Sequence, residues 1–140
     1  MKASELMIGN AVQYNGHLFG ITDISSAWPR VNDRYNNKPL VTIFDGGIFT
    51  VGLDEISPIP ITEEFLERNG FKNRYNIAYE REIDGYYIEI QLECANMGDE
   101  YIHCHIDNCS RCTVASADIQ YVHQLQNLLN IMNIKFDIKL

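Results

Sequence analysis

The stretch "YNIAYEREIDGYYIEIQLEC", residues 75 to 94, decides how the second half of this 140-residue chain folds. At its centre lies Asp84-Gly85, a pair that readily adopts the positive φ angles of a two-residue type I′ hairpin turn. A turn at this pair places Tyr79 opposite Ile90, so that the apolar side chains of both strands share one face. Turn chemistry and hydrophobic pattern therefore predict the same antiparallel hairpin.

C-terminal to the hairpin, the sequence predicts two more strands of an antiparallel meander. Residues 101 to 107, "YIHCHID", alternate apolar and polar side chains, which is typical of a strand with one buried face. Matching the apolar faces of the two strands places Cys104 opposite Leu92. A short fourth strand is expected at residues 112 to 115.

A C-terminal helix is expected to cover the apolar face of this meander. Apolar residues recur at spacings of three and four from Ala117 to Met132, which is the pattern of an amphipathic helix. Gln126 and Asn127 are expected on its outer face. Residues 134 to 140, "IKFDIKL", alternate strictly and predict a final strand.

A short helix is expected before the hairpin. Thr62 is a good N-cap, and Glu63 and Glu64 favour the positive end of the helix dipole. Gly70 is expected to end the helix, because glycine adopts the left-handed conformation of a helix C-terminus at little cost. This helix begins the second predicted domain, residues 61–140.

The first predicted domain, residues 1–60, is rich in short strands and tight turns. Asn15-Gly16 predicts a type I′ hairpin that pairs Tyr14 with His17, and "DGG" at residues 45 to 47 predicts a second hairpin. The polar segment between them is expected to run around an anchored Trp28. The predicted fold class is therefore α+β: a small SH3-like β-barrel lobe, followed by an antiparallel β-meander packed by one C-terminal helix.

The charge of the chain is negative and unevenly distributed. The sequence has 11 basic and 19 acidic residues, a formal net charge of −8, and residues 61–140 hold 7 of the basic and 13 of the acidic ones. Such a surface repels phosphate backbones and makes nucleic-acid binding unfavourable. No secretory or membrane-spanning segment is found, so we expect a cytoplasmic protein with reduced thiols.

The stretch "HCHIDNCSRC" concentrates potential metal ligands between residues 103 and 112. Two histidines at alternate strand positions share one face about 7 Å apart, and a Cys-x-x-Cys pair follows. The candidate zinc ligands are His103, His105, Cys109 and Cys112. The favoured interpretation is structural, because the stretch has no glycine around its cysteines and the expected register gives both histidines cross-strand partners, Glu93 and Gln91.

Catalytic chemistry has little support in the sequence. The four histidines are scattered, and no nucleophile motif, metalloprotease motif or phosphate-binding glycine loop is found. No catalytic residue is therefore assigned. The candidate interaction residues are Tyr87, His123 and Trp28, of which His123 lies beside the apolar stripe of the predicted helix.

Three stretches resemble those of one protein family: "KASELMIGNAVQYNG", "SPIPITEEFLERNGF" and "IQYVHQLQNLL". They are similar to a family of small uncharacterised proteins encoded in gut Bacteroidetes genomes, in prophages and other mobile elements. The resemblance implies a biological context and no assigned activity. It also implies that the His/Cys cluster is local to this chain.

The sequence favours a non-enzymatic accessory or protein-interaction module of a phage or mobile element. Its partner is expected to be another protein, and a homodimer is left open. No cofactor is expected. The alternatives are a zinc-stabilised binding module and a nucleic-acid-associated protein that uses the β lobe.

Overall fold

A computed structural model describes residues 2–25, 39–74, 76, 78–92 and 102–139. The candidate residue Trp28 lies outside these residues. The chain forms two compact units, one of Met1–Ile59 with Tyr121–Asn127 and the other of Pro60–Gln120 with Leu128–Leu140. No helix among the described residues has both the length and the apolar character needed to cross a membrane.

The first unit is a curled antiparallel sheet of five strands in the order β4-β3-β2-β1-β5. A bulge between Ile21 and Asp23 interrupts the pairing of β2 with β3, and bulges of this kind bend a sheet. The core on its inner face is aliphatic, with Val12, Val41 and Ile43 fully buried. The strands are β1 (Ala11–Tyr14), β2 (His17–Ser25), β3 (Leu40–Phe44), β4 (Ile48–Gly52) and β5 (Ile56–Ser57).

Both hairpins predicted for the first unit are confirmed. Tyr14 pairs with His17, and the turn residues Asn15 and Gly16 have φ angles of 49° and 80°. Leu40–Phe44 pairs with Ile48–Gly52 across the predicted Asp-Gly-Gly turn. Turn sequence therefore fixed the register of these strands.

The second unit is an antiparallel sheet in the order β10-β9-β8-β7-β6. A short helix precedes it and a second helix, α2 (Val122–Ile131), follows it in the chain. The strand β6 is not among the strands that the sequence predicts, because its three residues are all polar and exposed. The elements are α1 (Glu63–Arg68), β6 (Lys72–Arg74), β7 (Ala78–Ile83), β8 (Tyr86–Leu92), β9 (Ile102–Asp107) and β10 (Thr113–Ile119).

The signals that delimit α1 act as predicted. The Thr62 hydroxyl accepts a hydrogen bond from the Phe65 N–H at 3.2 Å, which caps the helix N-terminus. Gly70 ends the helix with a φ of 76°, and the N–H of Phe71 donates a hydrogen bond to the carbonyl of Leu66. The β7–β8 hairpin is also confirmed, with Tyr79 opposite Ile90.

The predicted register of β9 is wrong by two residues. Cys104 lies opposite Ile90 instead of Leu92, and Gln91 and Glu89 face His103 and His105. A slip of two residues leaves every side chain on its predicted face, so the apolar pattern cannot detect it. The sequence between the two strands contains a longer polar segment, "ANMGDE", instead of a single two-residue turn that would fix the register.

The C-terminal helix begins five residues later than predicted. Ala117, Asp118 and Ile119 belong to β10, where they pair with β9, and this strand is longer than the expected 112 to 115. The segment has alternating burial, but its inward residues before Ile119 are two alanines, which give a weak strand signal. Ile119 fits both the helical and the strand period, so the sequence pattern alone does not separate the two structures at this position.

The final strand predicted at residues 134 to 140 does not form in the described part of the chain. Ile134, Phe136 and Ile138 do point inward while the residues between them are exposed. The backbone N–H and carbonyl of Lys139, however, bond to the side chain of Asn69 instead of to a strand. Side-chain hydrogen bonds therefore replace the expected ladder.

Candidate functional site

A cleft of about 380 Å³ in the second unit combines most of the positive charge of that unit. Four cationic side chains line it, with two carboxylates and one aromatic ring. They come from β6, β7, β8 and the turn between β9 and β10. The lining residues are Gly70, Lys72, Arg74, Glu80, Arg81, Glu82, Tyr87 and Arg111.

Glu80 is the central residue of the cleft. Its side chain is only 10% exposed, and its two oxygens contact different guanidinium groups: Oε1 lies 2.9 Å from Arg74 and Oε2 lies 2.6 Å from Arg111. A carboxylate removed from water is destabilised unless such partners replace its lost hydration. The same contacts orient the two arginines, so Glu80 fixes the position of both cations.

Arg111 is held from two further sides. Its guanidinium carbon lies 3.4 Å from the centre of the Tyr87 ring, a cation–π contact. Its backbone has a φ of 58° in a tight turn, in which its N–H donates to the carbonyl of Asn108 at 2.9 Å. The hydrogen bond to Glu80 raises the pKa of Arg111, so this guanidinium stays charged throughout the physiological range.

The other two cations of the cleft differ in how much they are constrained. Arg81 donates a hydrogen bond to the backbone carbonyl of Asn69 and lies 5.0 Å from the centre of the Phe136 ring. Lys72 lies opposite Glu80 in the β6–β7 register, and its ammonium group makes no hydrogen bond or ion pair with the described residues. Lys72 is therefore the cation that is most available to a ligand.

The four predicted zinc ligands are not brought together. His103 bonds to Asp118 at 2.5 Å and packs edge to face against His105, with ring centres 4.3 Å apart. Cys109 and Cys112 are exposed in the turn beyond the paired strands. Thr113 lies opposite Asp107, so Cys112 precedes the paired residues of β10. Among the described residues, no three His, Cys, Asp or Glu side chains form a group that could hold a metal ion.

Cys104 lies in the core, as the strand pattern predicts. Its side chain is fully buried between the apolar residues of β8 and β10. Burial raises the pKa of its thiol to about 12, because a thiolate would lose its hydration. Cys104 is therefore a neutral, unreactive packing residue.

The motif "YVHQLQN" at the start of α2 holds the N-terminal segment of the first unit. Asn127 donates to the carbonyl of Glu5 at 2.7 Å and accepts from the side chain of Asn10 at 2.9 Å. Gln126 accepts from the N–H of Ala11 at 2.8 Å. The prediction that Gln126 and Asn127 lie outside is thus wrong, because both are half-buried and hydrogen-bonded.

His123 lies in the same motif and is buried within the first unit. Its ring stacks on Tyr121 with the centres 5.8 Å apart, and neither ring nitrogen has a hydrogen-bond partner among the described residues. Burial lowers the pKa of His123 below its ordinary value of 6.5, because the charged imidazolium would lose its hydration. This placement gives His123 a packing role.

We expect stability to decrease with acidification because of His123. The pKa of His123 is lower in the folded chain than in the unfolded chain. As the pH falls below 6.5, the unfolded chain therefore binds a proton at His123 before the folded chain does, and the free energy of unfolding decreases. The urea midpoint of the wild type should fall between pH 7 and pH 5, and that of His123→Phe should fall less. The exposed His17, replaced by Gln, is the control. If the urea midpoint of His123→Phe fell as much as that of the wild type between pH 7 and pH 5, the assignment would be contradicted.

The structure places the predicted interaction residues in different environments. Tyr87 lines the cleft, whereas His123 is a core residue. Sequence reasoning did not identify Glu80 and Arg111 as site residues. Arg111 lies inside the stretch "HCHIDNCSRC" that holds the candidate metal ligands, and only the register of the folded sheet brings Glu80 to it.

The fold and the cleft together define a mostly β protein of two units with a cationic site in the second. No protein-family model, curated protein or solved structure matches the chain.

Proposed function

We propose that this protein is a non-enzymatic accessory or interaction module of a phage or mobile element, and that it binds another protein in the cytoplasm. The binding site is the cleft around Glu80, which receives an anionic group of the partner. The first unit is proposed to be an SH3-like scaffold.

The concentration of cations supports this proposal. Four of the seven basic residues of residues 61–140 line the cleft, although the chain as a whole carries a net charge of −8. A positive cleft on a negative surface attracts an anionic group locally and repels most other acidic surface. Arginine and tyrosine are also the residue types that are enriched at protein interfaces.

The nucleic-acid alternative receives less support from the β lobe. In the described residues of the first unit, Lys2 is the single basic residue, against five acidic ones. Phosphate backbones require clusters of lysine and arginine, and such a surface does not supply them. The acidic residues are Glu5, Asp23, Asp45, Asp54 and Glu55.

Affinity capture from the host tests the proposed function. Lys72→Glu reverses the charge of an exposed cleft residue, and Lys135→Glu makes the same change at an exposed lysine that does not line the cleft. We expect the wild type and Lys135→Glu to recover the same protein, and Lys72→Glu to recover at least about tenfold less, a loss of roughly 1.4 kcal/mol. Equal recovery by all three proteins would contradict binding through the cleft.

A further inference from the structure

We propose that the anionic group received by the cleft is a phosphate monoester carried by the partner protein. This inference rests on the proposed function and names the ligand of the same site. Among the charged residues that line the cleft, cations outnumber carboxylates by four to two. A phosphate monoester carries about −1.5 to −2 charges at neutral pH, whereas a carboxylate carries one.

The arrangement of donors also suits a phosphate. Arg74 and Arg111 come from an edge strand and a distant turn, and each commits one nitrogen to an oxygen of Glu80. A guanidinium group has five N–H donors, so both arginines keep donors that Glu80 does not use. Because the Glu80 carboxylate already holds both guanidinium groups in place, ligand binding does not have to order them and the associated entropy cost is avoided.

Donors from several directions match an oxyanion with three terminal oxygens. Lys72 adds an ammonium group from β6, and the stack on Tyr87 fixes the plane of the Arg111 guanidinium. A carboxylate offers two oxygens and one charge to such donors, whereas a phosphate monoester offers three terminal oxygens and more charge. Clusters of this kind are a recurring means of recognising phosphorylated motifs.

The volume and charge of the cleft set limits on the ligand. About 380 Å³ accommodates one phosphorylated side chain and lies near the lower end of the range of ligand pockets. A nucleic-acid phosphate is a diester with one charge, and its neighbours along the strand would meet the acidic surface of the chain. The cleft therefore favours a single terminal phosphate on a protein.

Titration of the intact protein with small probes at constant ionic strength tests this inference. The probes are N-acetyl-O-phosphoserine amide, N-acetyl-aspartate amide, inorganic phosphate and the dinucleotide dTpdT, followed by calorimetry and by NMR of the cleft amides. We expect saturable one-to-one binding of the phosphoserine probe, at least about tenfold tighter than that of each other probe. Lys72→Gln should weaken it by about tenfold, and Lys135→Gln should not change it.

Each contrary result would reject a defined part of the inference. Equal affinity for the aspartate probe would remove the preference for phosphate, equal affinity for inorganic phosphate would remove the link to a protein, and tighter binding of dTpdT would favour nucleic acid. Absence of saturable binding would overturn the inference as a whole. If Lys72→Glu still loses the captured partner in that case, the proposed function stands without the phosphate.

Discussion

Replacing Asn127 by alanine is expected to lower the free energy of unfolding by about 3 kcal/mol, because two buried or half-buried groups lose their partners. The Asn127 side chain joins the backbone carbonyl of Glu5 to the amide of Asn10. Asn10 is 0% exposed, so its amide cannot bond to water instead. A loss of this size is a large fraction of the 5 to 15 kcal/mol that is typical of a folded domain.

The urea midpoint of the Asn127→Ala variant measures this effect, and Asn130→Ala is its control. Asn130 is an exposed residue of the same helix. Its replacement should leave the midpoint unchanged or raise it slightly, because alanine has the higher helix propensity. Equal midpoints for the two variants would show that the hydrogen bonds of Asn127 do not stabilise the first unit.

The hydrogen bonds of Asn127 and its neighbour Gln126 also join two stretches that lie far apart in the sequence. The N-terminal stretch supplies Glu5, Asn10 and Ala11, and the C-terminal stretch supplies Gln126 and Asn127. These stretches are more than 100 residues apart in the chain, yet they form one hydrogen-bond network in the first unit. These residues therefore maintain the fold of the first unit, and none of them lines the cleft.

Much of the local structure could be predicted from turn and cap chemistry. Asn15-Gly16 and Asp84-Gly85 adopt positive φ angles and fix their hairpins in register, and Thr62 caps its helix. Each of these features depends on residues that are close in sequence. The sequence therefore carries them without reference to the rest of the chain.

Features that depend on distant residues could not be predicted in the same way. The sequence before β9 has a longer polar connection instead of a two-residue turn, so it does not fix the register of β9. The true start of α2 depends on whether Ala117 pairs with Cys104. The candidate site has the same limitation. Glu80 and Arg111 are 31 residues apart, and only the folded sheet brings their charges to 2.6 Å.

The C-terminal tail, residues 134–139, is held by the side chain of Asn69 instead of by pairing with a strand. Replacing Asn69 by alanine should lower the free energy of unfolding by about 2 kcal/mol. Asn69 is 2% exposed, and its amide nitrogen donates to the carbonyls of Phe65 and Lys139. Its oxygen accepts from the N–H of Lys139 at 2.7 Å. The variant loses all three bonds, and the carbonyl of Phe65 then lacks its side-chain donor.

Hydrogen exchange distinguishes the loss of the tail from general destabilisation. In Asn69→Ala the amide of Lys139 should exchange much faster, whereas amides in the centre of the sheet should change only with global stability. Asn73→Ala is the matched control, because Asn73 is exposed and bonds to Tyr79 of the neighbouring strand and to Asn76, and not to the described residues of the tail. Unchanged protection of Lys139 in Asn69→Ala would mean that the alternating apolar residues Ile134, Phe136 and Ile138 hold the tail without the asparagine.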